Sequence, residues 1–136
     1  MSDRRSAGLA VLEQMLPDVV SEHPGFEGDG FGSELGTQTL ECVFGRVWVR
    51  PGLDRRSRSL VTLGILIATH AWDELRLHFS AALRNGLTTA ELEEVVYHAA
   101  CYAGYPAAAH AAMIGGEVID GRSRSTPRSD DNQERI

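Results

Sequence analysis

The stretch "DELRLHFSAALRNGLTTAELEEVVYHAA" (73–100) decides the fold. Leu75, Phe79, Ala82 and Leu83 recur at helical spacing from Asp73 onward. Asn85-Gly86 ends the run, because glycine takes the left-handed conformation after a helix without a Cβ penalty. Thr88, with Glu91 three residues later, has the pattern of a capping box. Each side chain there accepts a backbone N–H that the new helix would otherwise leave unpaired. Leu92, Val95, Val96 and Ala99 then resume the period, which predicts a second helix to about Ala103.

The same period extends outward. Leu9, Leu12, Met15 and Leu16 predict a helix over 3–16, with Pro17 just beyond it. "SEHPGFEGDGFGS" (21–33) reads as a loop. Ser33 is a candidate cap for a helix to about Gly45, with Leu35, Leu40 and Val43 on or near one face. "RVWVRPGLD" (46–54) reads as an extended connector, since Pro51 disfavours helix at Arg50. Asp54 is the expected N-cap of a long helix through about Ala71. Its first turn, "RRSR", is basic at the end where the helix dipole favours acids, which hints that these arginines answer an anion or a neighbouring subunit. Gly104 and Pro106 separate the helix ending near Ala103 from a last one over 106–119. From Gly121, "GRSRSTPRSDDNQERI" has almost no apolar residue and reads as a disordered polar tail. No strand pattern and no internal repeat appears. The expected fold is all-α: a single helical domain of about six helices over 1–120, then a tail over 121–136. Helix 60–72 is apolar around most of its circumference, which calls for a subunit interface to finish its burial.

Composition narrows function. The 136 residues are 43% hydrophobic, enough for one domain with a real core, and the net charge of −6 argues against nucleic-acid binding. All 13 basic residues are arginine. The absence of lysine excludes a lysine Schiff base, a lysine-anchored pyridoxal cofactor and a phosphate-loop lysine. Cys42 and Cys101 form no CxxC, which suits a reducing cytoplasm. The N-terminus lacks the apolar region and cleavage site of a signal peptide. "LVTLGILIATHAW" (60–72) is too short to span a membrane.

Several side chains are candidates for chemistry. Glu74 and His78, like Glu94 and His98, are four residues apart and share a helix face, a spacing open both to a metal and to ordinary surface pairing. His98 and Cys101 lie one turn apart, so Cys101 is either an activated nucleophile or a small hydrophobe in a helix seam. Five arginines, Arg46, Arg50, Arg55, Arg56 and Arg58, fall within one short segment. At least one of Arg46, Arg50 and Arg58 is expected to meet an anion, as clustered guanidinium groups bind carboxylates bidentately. His78, among Leu75, Leu77 and Phe79, is either a proton carrier with a tunable pKa or a structural histidine.

The blocks "FGRVWVRPGLDRRSRSL", "ELRLHFSAALRNGLTTAELEEV" and "YAGYPAA", in this order within 44–111, resemble the carboxymuconolactone decarboxylase family. The resemblance implies an all-helical, homo-oligomeric subunit, a hexamer or trimer. It also implies a cofactor-free, metal-free decarboxylation of a small anionic lactone, 4-carboxymuconolactone, to 3-oxoadipate enol-lactone. In the wider superfamily a CxxC precedes a histidine. Aligning His78 with that histidine puts Ala71 and Glu74 at the cysteine positions, so peroxidase chemistry is out of reach. With this resemblance, Arg46, Arg50 and Arg58 become the substrate-binding candidates. His78 is the candidate proton donor, supported by His98 and Glu74. Three alternatives remain open: another lactone or a β-keto acid as substrate, a Cys101-based redox protein, and a non-catalytic oligomeric binding module.

Overall fold

Burial of the apolar stripes read above organises the chain. The computed structural model describes residues 3–23 and 28–125. Among them it shows seven α-helices, one π-helical segment and no strand: α1 (Asp3–Met15), α2 (Pro17–Glu22), α3 (Glu34–Gln38), the π-helix (Thr39–Val47), α4 (Arg55–Ala68), α5 (Trp72–Arg84), α6 (Thr89–Ala103) and α7 (Tyr105–Ser125). The all-α expectation holds. The expectation of about six helices missed α2, for which Pro17 is the opening residue rather than a stop.

Two apolar clusters hold these elements. Leu63 and Ile67 of α4, Leu75 and Phe79 of α5, Leu92 of α6 and Ile114 of α7 centre the larger one. Val11, Leu12 and Met15 of α1 meet Leu40, Phe44 and Trp48 in the second, where Ala81 of α5 joins them. Thus α5 contributes to both clusters, and His78 lies on the helix that links them. The π-helix can seat against α1 because two glycines meet there. A Cβ on Gly8 would fall 2.1 Å from the Leu40 carbonyl oxygen, and one on Gly45 1.9 Å from that of Arg4.

The stretch that decided the fold behaves as read. Gly86 takes φ 97° after α5. Thr88 and Glu91 form both halves of the capping box, at 3.1 Å each. Asp54 caps α4 by accepting the Ser57 N–H at 2.7 Å. Gly104, at φ 98°, turns the chain from α6 into α7.

Other expectations need correction. Ser33 is helical in conformation and makes no capping bond; Leu35 and Val43 are exposed, and only Leu40 of that set is buried. The connector 46–54 is not extended. Its start belongs to the π-helix, and tight turns follow, because Trp48 stays in the core and donates its N–H to Val43 O at 3.0 Å. Helix α4 stops at Ala68, where Thr69 bonds the Ile65 carbonyl through its hydroxyl at 2.8 Å and His70 reverses the chain at φ 57°. Trp72, not Asp73, opens α5; its indole stacks on His70 at 5.1 Å and on His110 at 4.2 Å. Residues 121–125 of the expected tail are helical, and 126–136, with Pro24 and Gly25 of the expected loop, lie outside the described residues.

Candidate active site

Local backbone chemistry places one aromatic ring at the centre of the site. The Trp48 indole is 7% exposed. It stacks on Phe44 at 6.1 Å, one turn back, and on His78 of α5 at 6.4 Å. The same side chain lines a crevice of about 140 Å³ with Val47, Leu53, Arg58, Val61 and Thr62.

Arg58 enters that crevice from the first turns of α4. Its Nη2 donates to the Arg50 carbonyl at 3.1 Å, which anchors the guanidinium on the preceding loop. Its Nε is buried and has no hydrogen-bond partner. The His78 ring stacks on the same indole without lining the crevice, and its Nδ1 is also buried and unpartnered. These are the two such side-chain atoms among the described residues, and both belong to residues adjoining one indole. An unpartnered buried donor is costly, and sites of this kind call for a ligand or a proton to complete them. Burial pushes the His78 pKa below its ordinary 6.5, and the negative charge of Glu74, one turn earlier on α5, partly opposes this.

The remaining candidates fall elsewhere. The side chains of Arg46 and Arg50 are exposed, and Arg50 contributes its carbonyl to the site by holding Arg58. The basic first turn of α4 finds its answers within the chain: Arg55 donates to Gln14 of α1, and Arg56 pairs with Glu91 of α6. His98 is not in the crevice. It lines a separate cleft of about 750 Å³ between α4 and α6, beside Glu91, Glu94 and Tyr102. That cleft is larger; its lining holds no arginine and two carboxylates, of which Glu91 is paired with Arg56. Cys101 is exposed rather than packed in a seam, its Sγ 3.9 Å from the Tyr97 carbonyl, while the His98 ring lies against Tyr102 at 5.1 Å. Among the described residues no three His, Cys, Asp or Glu side chains converge as metal ligands, and no helix is long and apolar enough to cross a membrane.

Sequence reasoning missed Trp48. A lone tryptophan between valines, in a segment otherwise rich in arginine, was the available signal: such a ring has no reason to sit in a solvated connector.

A guanidinium and a buried imidazole thus adjoin one indole on an all-helical scaffold. The chain belongs to the carboxymuconolactone decarboxylase family, whose model matches residues 33–115. It is 48% identical over 116 residues to a 4-carboxymuconolactone decarboxylase of Acinetobacter baylyi, covering 85% of this chain and 87% of that one. It is 47% identical over 89 residues to a nitrosuccinic acid decarboxylase of Metarhizium robertsii, covering 65% of this chain and 60% of that protein. An uncharacterized 15.0 kDa protein of Paracoccus denitrificans is 35% identical over 81 residues, 58% of this chain and 60% of its own length. The family read from the three sequence blocks is therefore the correct one.

Proposed function

We propose that this chain is a cofactor-independent decarboxylase of a carboxylated lactone, with 4-carboxymuconolactone as substrate and 3-oxoadipate enol-lactone and carbon dioxide as products. The observation that carries this reading is the pair of unpartnered buried nitrogens, Arg58 Nε and His78 Nδ1, on residues that share Trp48.

The chemistry asks little of the protein beyond this set. When the bond from the ring carbon to the scissile carboxylate breaks, its electron pair moves through the ring alkene to the lactone carbonyl oxygen. The substrate is its own electron sink. Arg58 offers a charge-assisted hydrogen bond to a carboxylate. In this reading the second carboxylate falls to Arg46 and Arg50, exposed on the segment just before it. His78 is held toward its neutral form in the free protein by burial. A bound dianion raises its pKa, and Glu74 acts in the same direction, so the proton arrives with the substrate. His78 then delivers that proton through Nε2 to the dienolate carbon. In this reading His98 has no part in the reaction.

Nitrosuccinic acid is also a diacid with an electron-accepting group able to take the departing electrons, and the similarity to the Metarhizium protein supports it as the second substrate to try. The test is direct: purified chain, each compound separately, with substrate loss and carbon dioxide followed together. Turnover of the carboxylactone at the higher kcat/KM supports the reading. Faster turnover of nitrosuccinate changes the substrate, and no carbon dioxide from either removes the reading.

Exposed Leu60, Val61 and Ile65 on α4 support assembly into a homo-oligomer, which we read with the family as a trimer or hexamer, and the free Cys42 and Cys101 suit a reducing cytoplasm. Light scattering on the eluting peak tests the assembly: a monomer at micromolar concentration contradicts it.

A further inference from the structure

A histidine that moves protons is usually oriented by a hydrogen bond at its second nitrogen, which fixes both ring plane and tautomer. His78 lacks this device. Its Nδ1 is buried with no partner, so something else must hold the ring. The contact available is the Trp48 indole, at 6.4 Å between centroids and 24° between planes. Trp48 is itself well held. Phe44 stacks on it at 6.1 Å and 23°, and its backbone N–H is tied to Val43 O at 3.0 Å through the wide turn that closes the π-helix. A π-helical turn shifts the register of the side chains that follow it, and such turns gather at functional sites. Here the shift delivers one rigid ring both to the wall of the Arg58 crevice and to the imidazole.

We propose that Trp48 is the positioning residue of this site: its indole sets the plane of the His78 ring and, as a wall of the Arg58 crevice, its place relative to the bound anion. The proposal rests on the reading of Arg58 and His78 given above. Stacking replaces the missing hydrogen bond, and a large side chain with two torsions does so at small entropic cost. The charges around the imidazole are few. Glu74 acts on it from its own helix; from α4, Arg58 stands at the crevice that Trp48 walls.

Two variants test this, with two independent readouts. Trp48→Leu keeps an apolar side chain and loses the stack; Trp48→Phe keeps a ring and serves as the conservative rescue. The first readout is the NMR titration of the His78 imidazole in the free protein, assigned with His78→Gln. In Trp48→Leu the ring resonances are expected to lose their ring-current displacement and the midpoint to rise toward the ordinary value. Trp48→Phe is expected to stay near the parent. The second readout is steady-state decarboxylation. Trp48→Leu is expected to lose about ten-fold or more in kcat with KM changed less than about three-fold, since misorientation costs rate while the anion site keeps its charge. Trp48→Phe is expected to recover most of that loss. An unchanged His78 titration in Trp48→Leu overturns the proposal, and so does an unchanged kcat. If Trp48→Leu fails to fold, Trp48→Phe against Trp48→Tyr decides on the same readouts. If the parent protein shows no turnover at all, the reaction assigned above fails, while the titration still decides whether the indole holds the imidazole.

Discussion

Replacing Arg58 with methionine separates function from stability. The substitution keeps much of the apolar stem and removes the guanidinium. In a complex, Arg58 Nε would give a charge-assisted hydrogen bond to the substrate carboxylate, and bonds to charged groups are worth about 1.5–3 kcal/mol. At about 1.4 kcal/mol per factor of ten, kcat/KM should fall by roughly 10- to 150-fold. The free protein has a different balance. Arg58→Met removes a buried donor that has no partner, whose desolvation costs about 1–3 kcal/mol. It also removes the charge-assisted bond from Nη2 to the Arg50 carbonyl, worth at most about 1.5–3 kcal/mol, and that carbonyl lies in an exposed residue where water can replace the donor. The two effects oppose each other, so the variant should be no less stable than the parent by more than about 2 kcal/mol. The assay pairs a urea titration with initial rates on the carboxylactone. A folded Arg58→Met variant that keeps at least half the parent kcat/KM refutes the reasoning. So does one that loses several kcal/mol of stability, because Arg58 would then be a structural residue.

Other expected outcomes concern the scaffold and pH. Thr88→Ala removes the N-cap of α6 and should cost about 1 kcal/mol in denaturant unfolding, with kcat/KM unchanged because neither Thr88 nor Glu91 lines the Arg58 crevice. Gly45→Ala puts a methyl group 1.9 Å from the Arg4 carbonyl oxygen, so α1 and the π-helix must separate. A loss of about 2 kcal/mol or more is expected, together with reduced activity, since Trp48 follows directly from that helix. His78 titrates below its ordinary 6.5 when folded, so below that pH the unfolded chain binds a proton that the folded chain resists. Stability therefore falls as the pH drops from about 6.5 toward the folded pKa, and His78→Gln should flatten that part of the profile, measured as urea midpoints at several pH values.

Legibility in the sequence followed the range of the interactions. Elements set by local rules were readable. The Asp54 cap, the Thr88–Glu91 capping box, and the glycines at 86 and 104 each act within one helical turn, and each lies where expected. Elements set by tertiary contact were not. The π-helix exists because Leu40, Phe44 and Trp48 reach the α1 core together while Gly8 and Gly45 let the backbones touch, and neither feature has a local signature. The same gap hid the site. Arg46, Arg50 and Arg58 are equal in sequence, yet only the fold buries part of Arg58 and leaves the other two exposed. The proximity of Arg55 to Gln14 and of Arg56 to Glu91 is likewise long-range, so the sequence pointed instead to an anion or a neighbouring subunit as the answer to their basic turn. His78 and His98 were candidates for one site by residue type, and the packing of α6 against α4 sets His98 in a different cleft.

The central claim is that the crevice at Trp48, with Arg58 at its wall and His78 stacked on the indole, receives the carboxylated substrate. The most direct measurement is a crystal structure of the protein with a saturated, unreactive carboxylated lactone. The account expects a carboxylate within hydrogen-bond distance of Arg58 Nε, with His78 facing the ligand ring. A ligand seated instead in the α4–α6 cleft beside Glu94 and His98, with Arg58 Nε still unpartnered, would contradict it.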